Sequence, residues 1–209
     1  MRSLLAVALR TALLTLLLTG LLYPLAVTGL ALVLFPSRAH GSFVKDEHGQ
    51  VVGSELLAQA FTSQGYFQPR PSAAGTAGFD ASASSGSNLG PTSKKLRESA
   101  GLALKQLEAD NPDAPRPVPS ELVTTTASGL DPHLSPGAAE WQVKRVAAAR
   151  RLGEERVRAV LAAHVEERTF GFLGEPRVNV LLLNLALDRQ FGRPGPAPSK
   201  APVAAPLAH

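Results

Sequence analysis

The sequence predicts an α+β domain carried by a single N-terminal transmembrane helix, and three observations support that fold class. Thr11 to Phe35 runs for twenty-five residues without a charge. The remaining residues, about 170 of them, are a typical length for one domain with its own core. Within that domain, segments of helical period alternate with short β-prone runs bounded by Gly, Pro and Asn.

At ~1.5 Å per residue, a helix over 11–35 outreaches the roughly 30 Å hydrocarbon core of a bilayer. A cleaved signal peptide is one competing reading. Arg2 and Arg10 supply a basic start, and Ser37 and Ala39 supply small residues, but the apolar part of such a peptide is typically only about 7–15 residues. A buried core helix is the other, and the Leu-rich run lacks the polar face it would show. Pro24 removes a backbone donor in mid-span and marks a kink or packing notch. Gly20 and Gly29 let a second helix approach closely. Thr15, Thr19 and Thr28 can bond back to helix carbonyls. The basic residues before the span (Arg2, Arg10) and after it (Arg38, Lys45) nearly balance, so an inside N-terminus is only modestly favoured. The expected layout is a short N-terminal segment at 1–10, the span at 11–35, a soluble domain at 36–192 and a disordered Pro/Ala-rich tail at 193–209.

Along the domain, Gly41 to Val52 reads as a hairpin turning at His48-Gly49. Ser54 is placed to cap a helix over 55–63, with Leu56, Leu57, Ala60 and Phe61 on one face. Residues 65–91 are rich in Gly, Pro and Ser and read as a long loop. A helix over 93–109 follows, its stripe formed by Leu96, Ala100, Ala103 and Leu107. Pro115 to Pro119 is a stiff linker, and 121–126 suits a short strand. Ser135-Pro136 opens a helix to about Leu152, with Gly153 as its stop. Another helix runs over 154–167, and 175–188 reads as strand, then helix.

The chain has no cysteine, which excludes disulfides and thiolate metal sites. A net charge of +4 with 5% aromatic content argues against a nucleic-acid surface. The loop Ser85, Gly86, Ser87, Asn88, Leu89, Gly90 looks at first like a phosphate cradle. A Walker loop needs Lys after its last Gly, where this chain has Pro91. A turn held by side-chain bonds to backbone is the favoured reading. Asp131, His133 and Ser135 invite a triad, but residues so close in one loop rarely meet its geometry, and Ser135 serves better as an N-cap. No pair among the five histidines has metal-binding spacing. His164 reads as a core residue with one nitrogen satisfied. Tyr66 and Arg70 sit in a mixed aromatic-basic turn that could meet a partner or cap the core. Glu175, Arg177, Asn179 and Asn184 can bond across the domain. The residues therefore favour an accessory or interaction protein over an enzyme. A stand-alone anchored binding protein or hydrolase using Asp131 and His133 is the alternative.

Four phrases, in order, carry a resemblance: GYFQPRPSA (65–73), SSGSNLGPTS (84–93), PVPSELVTTTASGLDPHLSPGAAEWQVKRVAAAR (117–150) and GEPRVNVLLLNLALD (174–188). Together they resemble the C subunit family of the Kdp-type potassium-transporting ATPase, from the anchor to Asp188. The resemblance implies a bacterial inner-membrane, single-pass subunit with a cytoplasmic N-terminus and an extracytoplasmic domain. Implied partners are a channel-like potassium-translocating subunit, a P-type ATPase subunit and a very small subunit. It also implies a non-catalytic, assembling and stabilising role, described as a catalytic chaperone that raises the pump's ATP affinity. ATP is implied by resemblance alone, and potassium is carried by a partner. The candidate partner-facing or loop-organising residues are then Tyr66, Arg70, Ser85, Gly86, Ser87, Asn88, Gly90, Asp131 and His133. Gly20, Pro24 and Gly29 are the candidates for membrane-helix packing.

Overall fold

The computed structural model describes residues 2–195. Most of the expected tail, from residue 196 onward, lies outside the described residues. The chain divides into two compact units, Met1–Val44 and Lys45–His209.

The first unit is dominated by one apolar rod. Ser3–Leu34 is long and apolar enough to cross a membrane. It begins well before Thr11, because Leu4 to Leu9 continue the helix-forming run up to and beyond Arg10. Helix α1 (Arg2–Leu17) passes through a π-helical turn at Leu18–Leu22 into α2 (Tyr23–Leu34). The expected disturbance at Pro24 takes this form. Pro24 has no N–H to give the carbonyl of Gly20, and the Tyr23 N–H bonds Leu18 O five residues back, widening the turn just before the proline ring. Thr15 and Thr19 hydroxyls donate to the carbonyls of Thr11 (2.6 Å) and Thr15 (2.7 Å), so these side chains are satisfied within the helix. A single turn, α3 (Pro36–Ala39), follows.

From Phe43 onward the elements fall close to the expected order. Strands β1 (Phe43–Lys45) and β2 (Val51–Ser54) form a two-stranded sheet. The turn between them is organised by Asp46, whose carboxylate accepts from the His48 and Gln50 amides. Gly49, at φ 77°, supplies the left-handed residue. The helix expected over 55–63 does not form. Ser54 Oγ accepts from Leu56 N–H in one isolated turn, but Ala58 N–H then goes to Leu130 O (2.9 Å), a partner outside any helix. Tertiary pairing overrides the local pattern here.

Helix α4 (Lys94–Asp110) is capped by Ser93, whose Oγ accepts from Leu96 N–H. The strand expected over 121–126 is replaced by a 3-10 turn at Ser120–Leu122. Helix α5 (Pro136–Arg150) starts from Ser135 as expected. It ends on Arg151 in the left-handed conformation (φ 56°), and Gly153 instead opens the next helix as its N-cap residue. Helix α6 (Glu154–Ala163) is shorter than expected. The His164 ring nitrogen meets Val160 O (2.8 Å) at its end, and the following residues leave to form β4 (Val165–Glu166). Strand β5 (Arg177–Asn179) leads straight into α7 (Val180–Phe191), with the Asn179 side chain capping Leu182 N–H.

Short β3 (His133–Leu134), β5 and β4 make a three-stranded antiparallel sheet in the order β3-β5-β4, with Leu134 and Val165 both opposite Val178. The α5–α6 pair and α7 pack around it. The core includes Leu134, Val143, Val146, Val157, Val178, Leu183, Leu187 and Trp141. This is the α+β arrangement that the alternation of periods predicted.

Candidate functional site: a cleft where two loops meet

The two loop motifs singled out from the sequence are brought together. Ser85 N–H donates to Ser128 O (3.0 Å), and Ser84 Oγ donates to the same carbonyl (3.0 Å). The fit is tight. A Cβ at Gly86 would lie 2.7 Å from Ala127 O, and one at Gly129 would lie 2.6 Å from Ser85 O. Gly129 also sits at φ 68°. Glycine is required at these two places by close backbone approach, which explains the motif without a phosphate. Gly90 differs, because no atom lies within 4 Å of its would-be Cβ. Asn88 occupies the left-handed region at φ 52°, as short polar side chains tolerate.

Beneath the crossing lies a cleft of about 550 Å³ lined by Leu56, Leu57, Leu130 and Pro132 and by Arg70, Ser84, Thr126, Ser128 and Asp131. Arg70 reaches Thr124 Oγ1 (3.4 Å) and Thr125 O (3.2 Å), while its buried Nε has no partner among the described residues. Asp131 accepts from the His133 amide (3.0 Å) and stands 3.2 Å from the His133 ring Nδ1. The bond to the His133 ring holds the Asp131 carboxyl below the usual range, with the His133 amide and the Arg70 charge acting the same way against partial burial.

The lining combines an apolar floor with one cation and one carboxylate. Two of its three hydroxyls bond main-chain groups. Ser84 serves Ser128 O, and Ser128 Oγ accepts from Leu130 N–H. Ser135 Oγ donates to Glu121 and accepts from Ala138 N–H, so it is a helix cap rather than a partner of His133. The triad reading therefore lacks the contact it most needs.

Tyr66 lies away from this cleft. Its hydroxyl donates to Asp188 (2.8 Å), its ring sits under the Arg150 guanidinium, and Arg150 itself pairs with Asp188 (2.8 Å). Burial first, then the bond to the Asp188 carboxylate, pushes the phenol up to about 12.

Asn184 bonds across the domain as the sequence suggested, but sequence reasoning missed the whole device it belongs to, which holds the Tyr66–Arg70 segment in place. Asn184 accepts from Phe67 N–H (2.8 Å) and donates to Phe67 O (2.9 Å). Gln142 does the same for Gln68, at 2.9 and 3.0 Å. Arg145 donates to Gln64 O and Tyr66 O, and Arg150 to Gly65 O. Two carboxamides thus act as a strand would, satisfying both main-chain groups of consecutive residues, buried Phe67 and half-buried Gln68. Burial pulls the Arg145 guanidinium down to about 10, partly opposed by Asp110, so it stays charged at neutral pH. The available signal was Gln142 one turn from apolar Ala138, Ala139 and Val146, a polar residue on a face that ought to be greasy.

Residues 5–189 match the family model described as the c chain of K+-transporting ATPase, KdpC. The chain belongs to this family. Proteins named potassium-transporting ATPase KdpC subunit are similar over nearly the whole length. That of Myxococcus xanthus is 67% identical over 195 residues, covering 93% of this chain and 90% of the relative. Those of Rhodospirillum rubrum and Methylobacterium nodulans are each 53% identical, over 175 and 188 residues, covering 84% and 85% of this chain and 90% and 92% of theirs. The KdpC match takes in both the apolar rod and the domain that bears the cleft.

Proposed function

We propose that this KdpC-family chain is the non-catalytic accessory subunit of a high-affinity, ATP-driven potassium-uptake pump. In this reading it crosses the bacterial inner membrane once, with the N-terminus inside and the domain outside. It assembles with the channel-like potassium-translocating subunit, the P-type ATPase subunit and the small subunit. The observation that carries the reading is a family match running unbroken from the spanning rod through the domain. Ser84 and Ser128, two of the cleft's hydroxyls, bond its own backbone, which agrees with recognition rather than turnover.

The chaperone role follows from bracing. An extracytoplasmic domain cannot touch cytoplasmic ATP during turnover, but it can favour one conformation of the pump. If that conformation binds ATP better, affinity rises by the coupling free energy, about 1.4 kcal/mol for each tenfold. Gly20, Pro24 and Gly29 are the membrane-packing candidates for such bracing, and Arg70, Asp131 and the Ser85–Gly90 loop offer contacts outside the membrane.

Co-purification of the tagged chain in mild detergent from potassium-starved cells tests this, with potassium-stimulated ATPase assayed on the eluate. Recovery of the pump subunits is expected, with activity lost on deletion of this chain. Recovery of the chain alone from cells expressing the pump would refute the reading. Gly20→Leu and Gly29→Leu are expected to weaken assembly, and normal assembly of both would remove helix bracing from it.

A further inference from the structure

Three large apolar side chains stand in solvent at one point of the domain. The β4–β5 connection closes on a tight turn, with Thr169 and Leu173 exchanging amide bonds at 2.9 Å and Gly171 N–H donating to Arg168 O. On it Phe170 is 83%, Phe172 70% and Leu173 50% exposed. None belongs to the core. Phe170 also holds the left-handed conformation at φ 56°, which a bulky side chain adopts only under constraint. Single exposed apolar residues are ordinary, whereas a fixed cluster of three at a turn marks an interaction surface.

The surroundings decide what covers it. Around the tip, Arg168 pairs with Glu175 (2.6 Å) and Arg177 with Glu166 (2.9 Å), while Glu167 is also present. Three carboxylates face two guanidiniums that are already engaged. A loop that anchors in lipid instead offers free cations to anionic headgroups. A second copy is disfavoured by area. Two Phe and one Leu at these exposures offer roughly 400 Å², about half of the ~800 Å² per partner in a standard interface. What remains is a protein that other contacts already hold against this chain.

We infer that the Phe170–Leu173 turn is a plug that seats in an apolar socket, rimmed by polar or basic groups, on another subunit of the pump. The inference rests on the accessory-subunit reading above. Its test places p-benzoylphenylalanine at position 170, and separately at 172, in the full chain within the purified complex. Lys105, exposed on α4, serves as the control position. Ultraviolet light is expected to join both tip positions to one pump subunit at least tenfold more strongly than the control. Adducts with lipid alone, with a second copy of this chain, or with nothing while the pump subunits co-purify would each overturn the plug. Failure of the pump subunits to co-purify would instead bring down the accessory reading, and the plug with it. As an independent measure, the Phe170→Ser/Phe172→Ser double variant should melt at the parental temperature as a free chain. On the pump it should exchange with parental chain about thirtyfold faster, the size of a hot-spot loss. Unchanged exchange would count against the plug.

Discussion

Replacing Asn184 by alanine removes one side chain and strands two main-chain groups. Asn184 is 1% exposed and holds both the N–H and the C=O of Phe67, itself fully buried. Each orphaned buried group costs about 1–3 kcal/mol. The small void left by the carboxamide adds about 1 kcal/mol. Asn184→Ala is therefore expected to destabilise by about 4 kcal/mol, a large share of the ~5–15 kcal/mol of a typical domain. At ~2–4 °C per kcal/mol for a domain of this size, the melting temperature should fall by roughly 8–16 °C. Trp141, the single tryptophan, is buried in the same core and reports the transition by its fluorescence in the detergent-solubilised chain. Asn184→Leu should do no better, because it restores volume without the paired donor and acceptor. A fall of less than ~3 °C, well under the scale of two lost buried bonds, would refute the claim that this carboxamide stands in for a strand. Gln142→Ala should behave alike, and because both clamp one segment, the double variant should cost less than the sum.

The remaining predictions are briefer. Gly86→Ala and Gly129→Ala should each cost about 2–3 kcal/mol through overpacking against backbone, whereas Gly90→Ala should fall within about 0.5 kcal/mol of the parent; urea midpoints separate them. Tyr66 has its phenol raised to about 12, so its contribution is complete below the unfolded value of ~10 and is lost as pH climbs toward 12. Tyr66→Phe should therefore flatten the alkaline limb of a stability–pH profile between those values. Asp131 is depressed by His133, so its contribution holds above the ordinary carboxylate range and fades as pH falls through the lowered value. Asp131→Asn should lessen the acid sensitivity seen in the same titration.

Much of this architecture could be read where local chemistry decides it. Ser93, Ser135 and Asn179 are caps whose side chains accept from amides three residues on, and the Asp46–Gly49 turn follows from residues inside it. The errors lie where a distant partner intervenes. Residues 55–63 have a helical face, but Leu130 takes the Ala58 amide. The expected helix over 154–167 stops early because Val165 pairs with Val178 in the sheet. Of the cleft, each loop was visible separately in the sequence. Their meeting was not, because the contact of Gly86 with Ala127 is a matter of backbone approach that no spacing encodes.

The carboxamide clamp also bears on how the chain comes to be folded. Phe67 waits on a partner 117 residues further along, and Gln68 on one 74 residues along. Until α7 has been made, Phe67 lacks the side chain that satisfies its N–H and C=O, and loops of that length close slowly. The domain is thus completed from its far end, and a chain cut short before Asn184 keeps its apolar rod but should leave the main chain around Phe67 open to protease.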